Sequence, residues 1–199
     1  MARLTRTESQ TRNRDQVMAA ARRLFLRDGY QATSLAAIAE EAGFSTGVVY
    51  SNFAGKSELA VQVLRAIQAE QAAVLATAMT GEDPLGAKID AIEAWAESAF
   101  DSGWARLELE FALDARTDPD LVAQEAQRHD AAIDQFATTL AQLVPPAFAA
   151  FVPARAVAGA LLNVAYGVAV RRTIDPSVTA ERELKPLRDV LRSLGLLAS

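Results

Sequence analysis

The 199-residue chain is predicted to be all-α, and three observations lead there. Apolar residues recur at helical spacing from end to end, and no stretch alternates with the period of two that a half-buried strand needs. Aspartate precedes proline at Asp83-Pro84, Asp118-Pro119 and Asp175-Pro176. That pairing starts helices, the carboxylate acting as cap and the proline taking the first helical position. Hydrophobic residues make up 51% and charged residues 23%, which suits a packed globular chain and not a disordered one.

The first helix is expected from near Thr7, where Thr7-x-x-Gln10 fits a capping box, to Gly29. Val17, Ala20, Ala21, Leu24 and Phe25 form its apolar stripe. Thr33 is expected to cap a short second helix whose Leu35, Ile38, Ala39 and Ala42 face inward. Gly43 ends it, and Ser45 caps a third helix of barely two turns that buries Val49 and Phe53. A fourth runs from Lys56 or Ser57 to about Met79. The breaks at Gly81-Glu82-Asp83-Pro84, Asp118-Pro119, Pro145-Pro146 and Asp175-Pro176 then delimit helices over roughly 84–101, 105–116, 119–144, 153–172 and 179–195. Pro186 falls near the start of the last one, so its regular part is expected from about Lys185.

Charge is unevenly spread. The chain carries −5 overall. Residues 1–60 hold eight Lys/Arg against six Asp/Glu, while residues 61–199 hold twelve against nineteen. Near the start, Arg3, Arg6, Arg12 and Arg14 face only Glu8. A basic end on an acidic body suits either an anionic partner there or a solvated tail. The chain has no cysteine, which removes disulfides, thiolate metal sites and a cysteine nucleophile. No secretory leader is expected, because the basic start Met1-Ala2-Arg3-Leu4-Thr5-Arg6 leads into no apolar stretch. The longest apolar stretch, 156–170, is interrupted by Asn163 and is shorter than the roughly 20 residues a bilayer needs. A cytoplasmic protein with no membrane partner and no cofactor is expected.

Function concentrates in residues 33–53, where two short helices meet at a glycine turn in the layout of a helix-turn-helix. The second carries small, polar and aromatic groups outward, as entry into a major groove about 12 Å wide requires. Gly47 lets the backbone approach DNA closely. Ser45, Thr46, Tyr50 and Ser51 offer hydroxyls to phosphates, and Val48 suits a thymine methyl. Thr33, Ser34 and Asn52 complete the candidate contact set. Lys56 adds its ammonium and the free N–H groups of a helix start.

The run Ala20-Ala21, Leu24-Phe25, Gly29-Tyr30, Thr33-Ser34, Ile38-Ala39, Ala42-Gly43-Phe44-Ser45-Thr46-Gly47, Val49-Tyr50 and Phe53 through Gly55-Lys56-Ser57-Glu58-Leu59 resembles the N-terminal domain of the TetR family over about residues 12–60. Val48 and Ser51 stand where threonine and histidine are frequent, and both positions bear on base preference. The resemblance implies a helix-turn-helix DNA-binding domain, placed at 1–55, and a helical regulatory and dimerisation domain, placed at 56–199. It also implies a homodimer on a near-palindromic operator that releases DNA when a small effector binds, acting as a repressor.

Two surfaces are expected in the second part. The segment around Ala156, Ala158, Gly159, Ala160, Ala165, Gly167 and Ala169 is rich in small residues, apolar nearly all round and so must be buried, in a core or against a partner. Leu184, Leu187, Leu191 and Leu194 add a narrow seam at 3-4-3 spacing. Gly159, Leu162, Leu187 and Leu191 are the candidate dimer contacts, with an internal core as the alternative. Trp95, Phe100, Trp104, Phe111, Phe136 and Tyr166 are candidates to surround a largely apolar effector, although aromatics at helical spacing also build plain cores. Asn163, an amide in an apolar helix, needs a partner. The single His129 has no second nitrogen ligand for a metal.

The rival classes are an enzyme and a DNA-organising protein without ligand. Glu108 and Glu110 point to different faces of a helix, and Asp130 and Asp134 lack the histidine of a carboxylate di-metal bundle, so solvated helix faces explain both pairs better.

Overall fold

The computed structural model describes residues 5–80, 82–142, 151–193, 195 and 197. These form α1 (Arg6–Asp28), α2 (Leu35–Glu41), α3 (Thr46–Asn52), α4 (Lys56–Thr80), α5 (Leu85–Asp101), α6 (Trp104–Ala115), α7 (Pro119–Ala141), α8 (Ala154–Ile174) and α9 (Ala180–Ser193), with no strand among the described residues. The expected break at Pro145-Pro146, together with Arg3, Gly81 and Leu194, lies outside them. Two compact units emerge, one of residues 1–67 with 106–125, the other of residues 68–105 with 126–199.

In the first unit the helix starts differ slightly from expectation. Thr5, not Thr7, caps α1: its hydroxyl accepts from the Glu8 N–H, and the Glu8 carboxylate accepts from the Thr5 N–H at 2.7 Å. The capping box therefore sits two residues earlier, because Glu8 is a better return acceptor than Gln10. Ser34, not Thr33, caps α2, its hydroxyl accepting from the Ala37 N–H at 3.1 Å. Thr33 is buried and donates to the Gly29 carbonyl at 2.7 Å. The whole α1 stripe is buried with Ile38, Ala39, Val49 and Phe53, and α1, α2 and α3 pack pairwise.

Helix α6 completes this core. Phe111 is fully buried, with its ring edge-on to Tyr30 at 5.2 Å between centroids. Arg106 donates to the Leu26 and Arg27 carbonyls at 2.9 and 2.8 Å, satisfying the end of α1. Gly29 turns the chain there with φ of 92°, and a Cβ would lie 2.7 Å from the Glu110 carboxylate oxygens. Conformation and space both demand glycine.

In the second unit an acidic row on α5 organises the packing. Asp90, Glu93, Glu97 and Asp101 fall on one face. Arg188 of α9 reaches Asp90 and Glu93, both at 2.7 Å. Arg172 of α8 pairs with Glu97 at 2.5 Å and Asp101 at 2.7 Å. Glu97 also accepts the Ala180 N–H at 2.8 Å; this bond, followed by the Arg172 contact, holds its carboxyl below the usual range. That anchor starts α9 at Ala180, so Pro186 lies inside the helix instead of marking its beginning. Arg155 bridges Asp130 and Asp134 at 2.9 and 2.7 Å, which accounts for that acidic pair.

Candidate functional site

The first site grows from α3, a helix of seven residues. Val49 and Phe53 turn into the core, and the 3.6-residue period leaves Ser45, Thr46, Gly47, Tyr50 and Ser51 exposed. Ser45 is the N-cap yet makes no side-chain capping bond, so its hydroxyl stays uncommitted. Tyr50 is 61% exposed, although a large aromatic gains by burial. Among the described residues a Cβ on Gly47 would meet only the Ser45 hydroxyl, at 3.6 Å, and none of them requires a bare position there.

The other candidates are placed less freely. Ser51 and the Asn52 amide both donate to the Val48 carbonyl, at 2.9 and 2.8 Å. Val48 is half-buried, Ser34 is occupied as the α2 cap, and Thr33 is buried. Arg14 was legible in the sequence only as basic charge. Its guanidinium donates to the Asn52 carbonyl at 2.7 Å and lies 4.3 Å over the Phe53 ring centroid, fixing the end of α3 from α1.

Lys56 is half-buried, with Nζ 4.2 Å over the Tyr30 ring centroid and donating to the Gln31 carbonyl at 3.4 Å. Burial lowers the ammonium pKa, and Asp114 and Glu110 oppose that shift. Both carboxylates are fixed by the same loop. Asp114 accepts from the Tyr30 hydroxyl at 3.1 Å and the Gln31 side chain at 3.2 Å, and Glu110 accepts from the Gln31 N–H at 3.0 Å. The signal in the sequence was the i, i+4 spacing of Glu110 and Asp114, but nothing local says which loop they meet.

Two small cavities among the described residues of the second unit gather most of the expected effector residues. One, of about 60 Å³, is lined by Gln68, Gln71, Gln135, Thr139 and Phe136 on α4 and α7. The other, of about 70 Å³, is lined by Phe100 and by alanines of α5, α6 and α8. Trp95, Trp104, Leu162 and Tyr166 wall both. Five of the seven expected ligand residues thus converge. Phe111 does not, because it fills the core of the first unit. Asn163 lines neither cavity; it is exposed on α8. The glutamines were missed because helical glutamines usually face water.

The expected dimer contacts separate in the same way. Leu162 faces the cavities, and a Cβ on Gly159 would touch Ile133 of the same chain at 3.7 Å. Leu187 is exposed and Leu191 half-buried. The open side of α8 instead presents Ala156, Ala160, Val164, Gly167 and Ile174, with Val164 63% exposed. Val190 extends the exposed apolar surface on α9. Among the described residues no helix is long and apolar enough to cross a membrane.

Residues 17–63 match the family model described as bacterial regulatory proteins, tetR family. The fatty acid degradation regulator FadR from Bacillus halodurans has a similar structure, with a TM-score of 0.67 at 15% identity over 90% of this chain and 94% of that one. NalD, the secondary repressor of the MexAB-OprM multidrug efflux pump in Pseudomonas aeruginosa, gives a TM-score of 0.59 at 23% identity over 92% and 96%. At these identities the likeness is one of fold. No curated protein matches the chain.

Proposed function

We propose that the chain is a DNA-binding transcriptional regulator of the tetR family, whose model residues 17–63 match, and not an enzyme, and that it acts as a homodimeric repressor in the cytoplasm that leaves its operator when a small effector binds. The observation that carries the DNA reading is Gly47, bare without internal reason, between the free hydroxyl of Ser45 and the exposed ring of Tyr50. DNA contacts belong to residues 1–55 with Lys56 at the boundary, and effector and dimer functions to 56–199. The second copy docks on the exposed apolar sides of α8 and α9, because a two-fold protein reads a near-palindrome through two helices spaced by one turn of DNA.

The effector occupies the cavities between Trp95, Trp104 and Tyr166. It acts by preferring the conformation whose recognition helices are wrongly spaced, since equal affinity for both would shift nothing. A coupling of about 1–3 kcal/mol lowers operator affinity roughly 5- to 150-fold. NalD is a repressor by its own description, and another protein of this fold was crystallised with choline. Both support the reading by analogy alone.

Selection of bound duplexes from a random pool, followed by mobility shifts, tests the DNA reading. A near-palindromic winner is expected; recovery of no preferred sequence refutes a specific operator. On that operator, Lys56→Ala should weaken binding to all sequences alike and reduce the salt slope by about 1. Its ammonium already sits beside Asp114 and Glu110, so removing one carboxylate by Asp114→Asn should act in the opposite direction. An unchanged salt slope in Lys56→Ala would remove this residue from the phosphate contacts.

A further inference from the structure

Resting on the effector site just described, we propose that the cavity pair takes an uncharged amphiphile: a hydrogen-bond acceptor at Gln71 and a slim apolar body in the alanine-lined cavity. The two halves differ in chemistry. Gln68, Gln71, Gln135 and Thr139 bring a few polar atoms to the first cavity, whose surface is otherwise apolar. The second offers Ala96, Ala99, Ala105, Ala165 and Ala169 around Phe100. Methyl walls leave width for a hydrocarbon chain or a flat ring and offer no polar partner.

Among the described residues, no acidic or basic side chain lines either cavity. An ionised group on the ligand would lose its water without gaining a counter-charge, which is strongly unfavourable. Arg128 is buried, but it is not in the lining. It donates to the Gln68 side-chain oxygen at 3.1 Å, while the Gln68 amide nitrogen donates back to the Arg128 carbonyl at 3.2 Å. Both ends of that glutamine are therefore taken, and it stands between the guanidinium and the cavity.

Gln71 sets the polarity of the head group. An indole N–H can only donate, and Trp95 Nε1 donates to Gln71 Oε1 at 2.5 Å. The amide is thereby oriented, and its two N–H groups remain for a carbonyl or hydroxyl oxygen on the ligand. A donor-only head would have to share the Gln71 oxygen with the Trp95 N–H and would leave the amide N–H groups unused. Each cavity as it stands holds only about two waters. The ligand therefore joins the two by displacing part of the shared wall of Trp95, Trp104, Leu162 and Tyr166. That movement gives both tryptophans as reporters.

Titration of the full-length protein with octanamide, octanoate and octylammonium, followed by tryptophan fluorescence, tests the class. Octanamide should saturate at a concentration at least about tenfold below either ion. Gln71→Leu should weaken octanamide by about tenfold, the weight of one hydrogen bond. Ala165→Phe should weaken it by a similar factor by filling the apolar end. If that variant melts early, Ala165→Val replaces it with a smaller shift in the same direction. Tighter binding of octanoate or octylammonium overturns the uncharged class while leaving the cavities as the effector site. Saturation by none of the three overturns the site itself, and the class with it. Octanamide binding indifferent to both Gln71→Leu and the Ala165 variants overturns the assigned pose.

Discussion

Replacing Val164 with aspartate should turn the protein into a monomer and cost it roughly 1,000-fold in operator affinity. Val164 is 63% exposed on α8, so most of the side chain faces outward and the monomer should fold and melt normally. In a two-fold dimer the same position appears on both partners, and two carboxylates would be trapped in an apolar seam without counter-charges. The operator is then read by one recognition helix at a time, and affinity falls toward the non-specific level. Sedimentation equilibrium at micromolar concentration gives the state and mobility shifts give the affinity. Gly159→Arg would be a poorer probe, since Gly159 already packs on Ile133 and the change would disturb the fold as well. A Val164→Asp protein that remains dimeric with full affinity would place the interface elsewhere.

The second large effect belongs to Gly47→Leu. The substitution should lower operator affinity by about 100-fold, near 3 kcal/mol, while thermal stability holds or rises slightly. Leucine is a better helix former than glycine by somewhat less than the about 0.8–1.0 kcal/mol that separates glycine from alanine. The position has room, with only the Ser45 hydroxyl near the new Cβ. Outside the chain, a branched side chain would hold the backbone of α3 away from the base edges and break several contacts together. Circular dichroism melts and mobility shifts on the selected operator separate the two consequences. Undiminished affinity with a leucine at 47 would mean that this face of α3 does not enter the groove.

Much of this was legible because it is written locally. Periodicity placed the helices to within a few residues, and the α1 stripe is buried as its spacing requires. Of the three Asp-Pro pairs only Asp118-Pro119 starts a helix as expected, Asp118 accepting from the Asp120 and Leu121 N–H groups; Pro84 itself is the N-cap of α5, and Asp175 ends α8. Five aromatic walls of the cavities are large residues on the expected helices. What stayed hidden depends on partners far away in sequence. Phe111 is as plausible a cavity residue as Phe100 until Tyr30 is seen against its ring. Asn163 reads as buried because its neighbours are apolar, but they turn out to form an exposed side. Arg14, Arg106 and Arg172 each bind backbone carbonyls or remote carboxylates, and no spacing rule announces a tertiary cap. The shift of the cap from Thr7 to Thr5 is smaller: two overlapping boxes competed, and the one ending in a carboxylate won.

The way α6 completes the first unit bears on how the protein is made. That unit is discontinuous, drawing on residues 1–67 and then 106–125. A ribosome adds about 5–20 residues per second, so the helix-turn-helix emerges seconds before the Phe111 ring that covers Tyr30 and the Arg106 guanidinium that closes α1. During that interval the nascent domain carries an open apolar flank and unsatisfied carbonyls, and nascent-chain holdases recognise such surface. An excised segment ending near residue 60 would keep that vulnerability permanently. The smallest self-sufficient piece that carries the helix-turn-helix is then set by a helix synthesised about fifty residues later, and not by the end of its motif.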